Sequence, residues 1–182
     1  MQDVIKRTRQ YGIPLDVIYN DIDHMDERKD FTLDMVNFGK LPQFLANEKK
    51  QNGLKSVIIL DPAVTNNATN YHAWDVLNGN DTFIKFNNKT VMFGYVWPRG
   101  KVAFPDHFLN RTVNAWTYLI QRHSKVIPFD GLWVDMNEPS NFGTNEEKPF
   151  NWPSNLPPWS LKCDKSYYED PPYRTRKLIY PL

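Results

Sequence analysis

The chain has 182 residues and a nearly balanced charge, with 22 Lys and Arg against 21 Asp and Glu and a formal net charge of +1. This balance provides no basic surface for a phosphate backbone, so we expect no nucleic-acid partner. No run of apolar residues is long enough to cross a bilayer, and we expect membrane contact only through segments outside this chain. The single cysteine, Cys163, excludes an internal disulfide framework.

Helical and strand patterns alternate along the chain. The strand segments are near-continuous apolar runs, which are typical of parallel strands covered on both faces. This alternation predicts βαβ units and an α/β fold. In chain order the predicted elements are a helix at 1–10, a strand at 13–21, a helix at 41–51, a strand at 54–61, a helix at 106–125 and a strand at 131–135.

The helix predicted over 106–125 has the clearest amphipathic pattern. Asp106 is positioned to cap its N-terminus, and His123 is expected to act as a favourable positive charge near its C-terminus. Its predicted apolar stripe consists of Phe108, Leu109, Thr112, Val113, Trp116, Leu119 and Ile120.

Two segments fall outside the alternating pattern. Residues 62–105 form a predicted insertion, with a hairpin whose strands at 82–86 and 89–93 are joined by a two-residue turn at Asn87-Asn88. Residues 143–182 are rich in proline and aromatic residues, show no sustained period, and are predicted to form an extended loop. A loop of this length usually lines a binding site or belongs to a larger domain.

The number of strands limits the possible architectures. Three parallel strands leave both sheet edges uncovered, whereas a closed (β/α)8 barrel needs eight strands in roughly 250 residues. A small open sheet and an incomplete barrel both fit the pattern. We favour an incomplete (β/α)8 TIM barrel with about three barrel strands, and we expect residues 1–182 to be a fragment of a catalytic domain.

Each predicted strand ends in a carboxylate, at Asp21, Asp61 and Asp135. The carboxyl ends of parallel strands are where such folds bind ligands. Together with the indoles of Trp97, Trp133, Trp152 and Trp159, these carboxylates suggest a sugar site, because carboxylates accept hydrogen bonds from hydroxyls and indole rings pack against C–H faces. The alternative is that the carboxylates cap helices or pair with basic side chains, and for Asp61 this is equally plausible.

The third strand and the residues after it carry a distinctive motif, Gly131-Leu132-Trp133-Val134-Asp135-Met136-Asn137-Glu138-Pro139-Ser140-Asn141-Phe142. This run resembles the signature of glycoside hydrolase family 31, and the chain is most similar to the animal α-glucosidases of that family. The resemblance covers essentially the whole chain in order. It extends to the segments 21–32, 59–63, 96–98, 104–106, 159–163 and 171–174.

The resemblance implies a retaining α-glucosidase on a (β/α)8 barrel, without a metal or other cofactor. Asp135 matches the catalytic nucleophile after the fourth barrel strand, and Asp21, after the second, matches the carboxylate that binds glucose hydroxyls. The implied substrates are α-1,4-linked glucosides cut from the non-reducing end, such as maltose, malto-oligosaccharides and the ends of starch or glycogen. Further implied lining residues are Ile22, Ile58 (or its neighbour Ile59), Trp97, Trp133, Met136 and Phe142.

The matching motifs do not include the acid/base carboxyl of the family. Retention requires this second carboxyl at about 5 Å from the nucleophile, and in the family it lies on a later strand. We therefore expect the isolated chain to be inactive. One alternative is that Glu138 serves as the acid/base; another is that the chain is an inert fragment that acts as a carbohydrate-binding or interaction segment.

Four N-x-S/T triplets begin at Asn67, Asn80, Asn88 and Asn110. They predict glycans on surface loops and passage through the secretory pathway, to an extracellular, membrane-anchored or lysosomal destination. The alternative is chance spacing in asparagine-rich loops.

Overall fold

The computed structural model describes residues 1–66 and 69–142, and the chain divides into two units, Met1–Ser140 and Asn141–Leu182. All helices and strands given below lie in the first unit. The predictions for Asn67, for Cys163 and for the extended loop at 143–182 fall outside the described residues.

Helices and strands alternate as predicted, with additional short elements between the second and third predicted strands. Two single 3-10 turns, Ile22–His24 and Asp26–Arg28, follow the first strand. In chain order the elements are α1 (Gln2–Gln10), β1 (Val17–Asn20), α2 (Leu41–Asn52), β2 (Lys55–Leu60), β3 (Val64–Thr65), α3 (His72–Gly79), β4 (Phe93–Gly94), β5 (Val102–Ala103), α4 (Asn110–His123) and β6 (Gly131–Val134).

The main sheet is parallel, in the order β1-β2-β6, so β2 is central. Ile58 of β2 is paired with Asn20 of β1 and Leu132 of β6. The side chains of Ile58 and Leu132 pack in one apolar cluster with Leu41 and Leu45 of α2, so this face of the sheet is turned toward the helix. Because side chains alternate along a strand, the neighbouring positions lie on the opposite face, which we call the inner face.

Local signals in the sequence explain where α2 ends. Gly53 adopts the left-handed conformation, with φ +67°, and its N–H donates to the Lys49 carbonyl, while the Leu54 N–H donates to the Glu48 carbonyl. Glycine is favoured there because it carries no Cβ. Lys49 also pairs with Asp130, whose carboxylate accepts the backbone N–H of Ser56. These contacts join the end of α2 to β2 and to the residue before β6.

The segment 62–105 contains α3 and a small antiparallel sheet in the order β3-β5-β4. The predicted two-residue turn at Asn87-Asn88 is wrong. The Phe86 N–H donates to the Thr90 carbonyl, which leaves three residues in the loop, and Lys89 adopts a left-handed φ of +69°. A three-residue loop with its last residue in this conformation is the next common hairpin connection after two-residue turns.

The structure corrects the boundaries and the buried face predicted for α4. The helix begins at Asn110, and Asp106 instead accepts the Phe108 N–H in a turn that precedes it. Phe108 is fully exposed, so it is not part of a core stripe. The buried residues of the helix are Thr112, Ala115, Leu119 and His123.

His123 does not provide the exposed positive charge that its sequence position suggested. The side chain is only 3% exposed, and burial, followed by the nearby His24, lowers the pKa of His123 to about 4. His123 is therefore a neutral core residue at neutral pH.

Within residues 1–66 and 69–142, no helix combines the length and apolar character needed to cross a membrane.

Candidate active site

Three carboxylates lie at one edge of the parallel sheet, because Asp21, Asp61 and Asp135 each directly follow one of its strands. Each lies two residues beyond an inner-face position of its strand, so the alternation directs all three toward that face. Burial, and then repulsion from Asp135 and Asp21, raises the pKa of Asp61 to about 7. Asp21 and Asp135 are therefore both close enough to Asp61 to affect its protonation.

Asp61 occupies the centre of this edge and is 2% exposed. Its backbone N–H donates to Oδ1 of Asp30 at 3.2 Å, while neither of its side-chain oxygens has a hydrogen-bond partner among the described residues. Asp61 neither caps a helix nor pairs with a basic side chain in the described structure. The alternative assignments considered for it from sequence therefore do not apply.

Asp30 is a functional-site neighbour that the sequence did not reveal. It closes a charged run, Asp26 to Asp30, that resembles a solvated loop, yet it is 1% exposed. Burial and the neighbouring Asp61 raise its pKa well above the usual range, and the Tyr71 hydroxyl donates to its carbonyl at 3.0 Å. The sequence indicates the burial of Asp30 only through its place at the end of the charged run, directly before Phe31 and Thr32.

Asp135 is half-buried, and its backbone is held on both sides. The N–H donates to the Leu60 carbonyl at 3.4 Å, which extends the pairing of β2 and β6 by one residue. The Asp135 carbonyl accepts the side-chain amide of Asn137 at 2.5 Å. The strand and the following turn therefore fix where the Asp135 side chain leaves the backbone.

Asp21 is exposed and begins the 3-10 turn after β1. Its Oδ1 accepts the Ile22 N–H at 2.7 Å, and its carbonyl contacts Nδ1 of His24 at 2.7 Å. His24 is buried, and burial lowers its pKa. The turn holds Asp21 at the strand tip, next to the half-buried Ile22.

Aromatic side chains approach the same region from two elements. Trp133 of β6 makes an edge contact with Tyr19 of β1 on the inner face, with ring centroids 6.0 Å apart. Trp97 comes from the 62–105 segment, and its Nε1–H donates to Sδ of Met136 at 3.0 Å. Arg28 lies 6.0 Å from the Trp97 ring centre, which is within range of a cation–π contact.

Met136 immediately follows Asp135 and has a left-handed φ of +57°. Non-glycine residues in this conformation are uncommon, and their strain must be offset by surrounding contacts. Met136 packs against the cluster of Ala63, Val96, Val102 and Phe104 and accepts the Trp97 hydrogen bond. The 62–105 segment thus supports the backbone at the Asp135 turn.

Three further residues that the sequence raised for the site are Ile58, Phe142 and Glu138. Ile58 lies in the core cluster that faces α2, and its neighbour Ile59 has the inner-face position, so which of the two lines a site stays a prediction. Phe142 belongs to the unit that begins at Asn141, and its role remains a prediction. Glu138 is exposed and accepts the Ser140 hydroxyl at 3.3 Å.

Within the described residues, no group of three or more His, Cys, Asp or Glu side chains is arranged to hold a metal ion.

A parallel α/β sheet with its polar site at the carboxyl ends of the strands is the arrangement found in TIM barrels. Residues 1–168 match the profile described as the TIM-barrel domain of glycosyl hydrolases family 31. The chain belongs to glycoside hydrolase family 31, and its three parallel strands are part of that family's barrel.

Several curated proteins are similar to this chain. Alpha-xylosidase 1 of Arabidopsis thaliana is 40% identical over 187 residues, which cover 96% of this chain and 20% of that protein. Intestinal sucrase-isomaltase of Oryctolagus cuniculus is 38% identical, covering 84% of this chain and 10% of that protein. Lysosomal alpha-glucosidase of Bos taurus is 40% identical, with coverages of 78% and 15%. The chain thus spans a tenth to a fifth of the length of these relatives.

Solved structures agree with the fold. The glucosidase II alpha subunit in its alpha3-Glc2-bound form superimposes with a TM-score of 0.70 at 32% identity, over 78% of this chain and 15% of that one. The family 31 alpha-glucosidase of Bacteroides thetaiotaomicron gives a TM-score of 0.66 at 28% identity, over 76% and 23%.

Proposed function

We propose that this chain forms part of a retaining α-glucosidase that releases glucose from the non-reducing end of α-1,4-linked glucosides. The observation that carries the proposal is the position of Asp135, in the family motif, at the tip of a parallel strand beside Asp61 and Asp21. The substrate class follows relatives named as α-glucosidases and sucrase-isomaltase. The proposed substrates are maltose, malto-oligosaccharides and the ends of starch or glycogen.

The proposed reaction has two displacements at the anomeric carbon. The Asp135 carboxylate attacks this carbon and forms a glycosyl ester, while the glycosidic bond breaks and the leaving oxygen takes a proton from a second carboxyl group. Water, deprotonated by that same group, then attacks the anomeric carbon, breaks its bond to the Asp135 oxygen and releases glucose with retained configuration. Asp21 would accept hydrogen bonds from glucose hydroxyls, while Trp133 and Trp97 would pack against the C–H faces of the ring.

The second carboxyl group is proposed to come from a segment that is not part of these 182 residues. Asp61 is closed to solvent and Glu138 is bonded to Ser140, so we propose neither as the proton donor to the leaving oxygen. We therefore expect the isolated chain to release no glucose from maltose, and steady release by the purified chain would contradict this.

An α-xylosidase is the second candidate, because Alpha-xylosidase 1 aligns with 96% of the chain. Both sugars would use the same nucleophile, and they differ only in the hydroxymethyl group at C5 that xylose lacks. Comparing kcat/KM for nitrophenyl α-glucoside and nitrophenyl α-xyloside with the enzyme that contains this chain separates the two. A larger value for the glucoside supports the proposed function.

The proposed site of action is the secretory pathway, in line with intestinal and lysosomal relatives. Three candidate glycosylation residues, Asn80, Asn88 and Asn110, are exposed in the structure. An exposed acceptor is necessary for glycan attachment.

The direct test replaces Asp135 in the enzyme that contains this chain. We expect Asp135→Ala to lower kcat by several orders of magnitude without loss of the folded state, because the covalent step loses its nucleophile. Asp75→Asn, which removes an exposed carboxylate from α3, is the matched control and should retain activity. Activity of Asp135→Ala above about a thousandth of the parent value would refute the assignment.

A further inference from the structure

Asp61 has an unusual position for a carboxyl group. It lies at the tip of the central strand β2, with Asp21 at the tip of β1 on one side and Asp135 at the tip of β6 on the other. Because side chains alternate along a strand, all three lie in register with the inner-face residues, such as Ile59 in β2. Asp61 is therefore the carboxyl group placed between the other two.

An ionised Asp61 side chain would have no hydrogen-bond donor among the described residues. The side chain is 2% exposed, and neither oxygen has a hydrogen-bond partner among the described residues. The bond to Asp30 uses only the backbone N–H of Asp61. An ionised carboxylate can only accept hydrogen bonds, so burying it without donors is costly.

The charged groups that act on Asp61 are all acidic within the described structure. Asp21 and Asp135 face it from the neighbouring strands, and Asp30 faces it from the loop after β1. Burial, followed by the like charges of Asp135 and Asp21, raises the pKa of Asp61 to about 7. A carboxyl group that keeps its proton is a hydrogen-bond donor, and its two neighbours at the strand tips are acceptors.

Asp135 needs such a donor. The described hydrogen bonds reach only its backbone, through Leu60 and Asn137. A nucleophilic carboxylate must stay ionised and keep a single orientation, which usually requires a neighbouring group that holds the side chain itself.

We infer that Asp61 is a positioning residue for the proposed reaction, whose side chain donates a hydrogen bond to the Asp135 carboxylate and holds it for attack. This inference rests on the proposed function, because Asp135 acts as the nucleophile in it. Asp61 itself forms no bond with the sugar. When Asp61 loses its proton, the hydrogen bond is replaced by repulsion between two carboxylates, and the orientation of Asp135 is lost.

The first experiment compares Asp61→Asn and Asp61→Ala in the enzyme that contains this chain. The asparagine amide is a donor at every pH, so we expect Asp61→Asn to keep kcat within about threefold, while Asp61→Ala lowers kcat about 10- to 100-fold with little change in KM. The alkaline limb of kcat should move to higher pH in Asp61→Asn, since its donor cannot titrate. Equal losses in the two variants, or an unmoved limb, would overturn the inference.

The second experiment does not depend on activity. Carbon-13 NMR of the Asp61 carboxyl in the enzyme that contains this chain should show a titration midpoint near the raised value, about 7. In Asp135→Asn the midpoint should fall, because one like charge is removed, whereas Asp75→Asn should leave it unchanged. An Asp61 midpoint that does not respond to Asp135→Asn would overturn the inference. An enzyme that shows this coupling but does not cleave α-glucosides would refute the proposed function alone.

Discussion

Two histidines, His24 and His123, are buried in the described part of the chain. His24 follows β1, and His123 ends α4, and burial lowers the pKa of both. His123 makes ring contacts with Phe31 and Phe129, with centroids 6.0 and 6.3 Å away. Asp61 shows the opposite response, because burial raises the pKa of an acid and lowers that of a base.

His123 predicts how stability responds to acid. Its folded-state pKa of about 4 lies below the unfolded value of 6.5, so the unfolded chain binds protons more readily in that interval. The free energy of unfolding should therefore fall as pH drops from 6.5 to about 4, by roughly 3 kcal/mol from this group. Urea denaturation at several pH values measures this fall.

The variant His123→Gln, which stays neutral, should reduce the fall in the free energy of unfolding as pH drops from 6.5 to about 4. The matched control is His72→Gln at an exposed position of α3, which should leave the slope as it is. An unchanged slope in His123→Gln would show that His123 is not held neutral in the folded state. Asp61 contributes with the opposite sign, because its raised pKa favours the folded state at low pH and this contribution is lost as pH rises toward about 7.

The two faces of the central strand β2 make different contacts. Ile58 packs with Leu45 of α2 and Ile127, whereas Ile59 lies on the inner face beside Trp133 of β6. The first face joins the strand to its helix, and the second leads to the carboxylates at the strand tips. Because of this alternation, we propose Ile59 rather than Ile58 as the lining residue.

This difference is testable with two conservative substitutions. Ile58→Val removes one methylene from a filled core and should lower the free energy of unfolding by about 0.5–1.5 kcal/mol with no change in KM. Ile59→Val should change KM for a nitrophenyl α-glucoside, because it alters the inner face. A larger change in KM for Ile58→Val than for Ile59→Val would contradict the assignment of the faces.

The sequence correctly predicted those helices and strands whose apolar spacing and end signals lie within the element itself. The strand at 54–61 and the helix at 41–51 agree closely with β2 and α2, because apolar runs and the stop at Gly53 are local signals. The site carboxylates were predictable since each directly follows a strand. The burial of Asp30 and His123 was not, because it depends on which segments fold over them.

The prediction for α4 failed at its start for a related reason. Phe108 and Leu109 continue the helical spacing in the sequence, but Asp106 forms its own turn with the Phe108 N–H. A side-chain hydrogen bond of this kind competes with helix formation. The actual helix therefore begins later, and its buried face is centred on Ala115 and Leu119.

For the whole molecule, one exposed triplet, at Asn88, offers a test of the predicted glycosylation. Asn88 lies in the hairpin loop, and its Oδ1 accepts the Thr90 N–H at 3.1 Å and the Thr90 hydroxyl at 2.6 Å. Expression in a eukaryotic secretory host should attach a glycan there, measured as a mass loss on treatment with an amidase that removes N-glycans.

Thr90→Ala should abolish the glycan at Asn88, whereas Thr90→Ser, which keeps the hydroxyl, should retain it. An unmodified Asn88 in protein recovered from the secretory pathway would contradict the prediction.

The strand tips of the parallel sheet bring together residues that are far apart in the chain, and the proposed chemistry depends on one of them. A fluorinated α-glucosyl fluoride that forms a long-lived glycosyl-enzyme, followed by peptide mass spectrometry of the enzyme containing this chain, identifies the residue that attacks the sugar. We expect one glucosyl adduct, on Asp135, and none in Asp135→Asn. An adduct on Asp21 or Asp61 instead would contradict it.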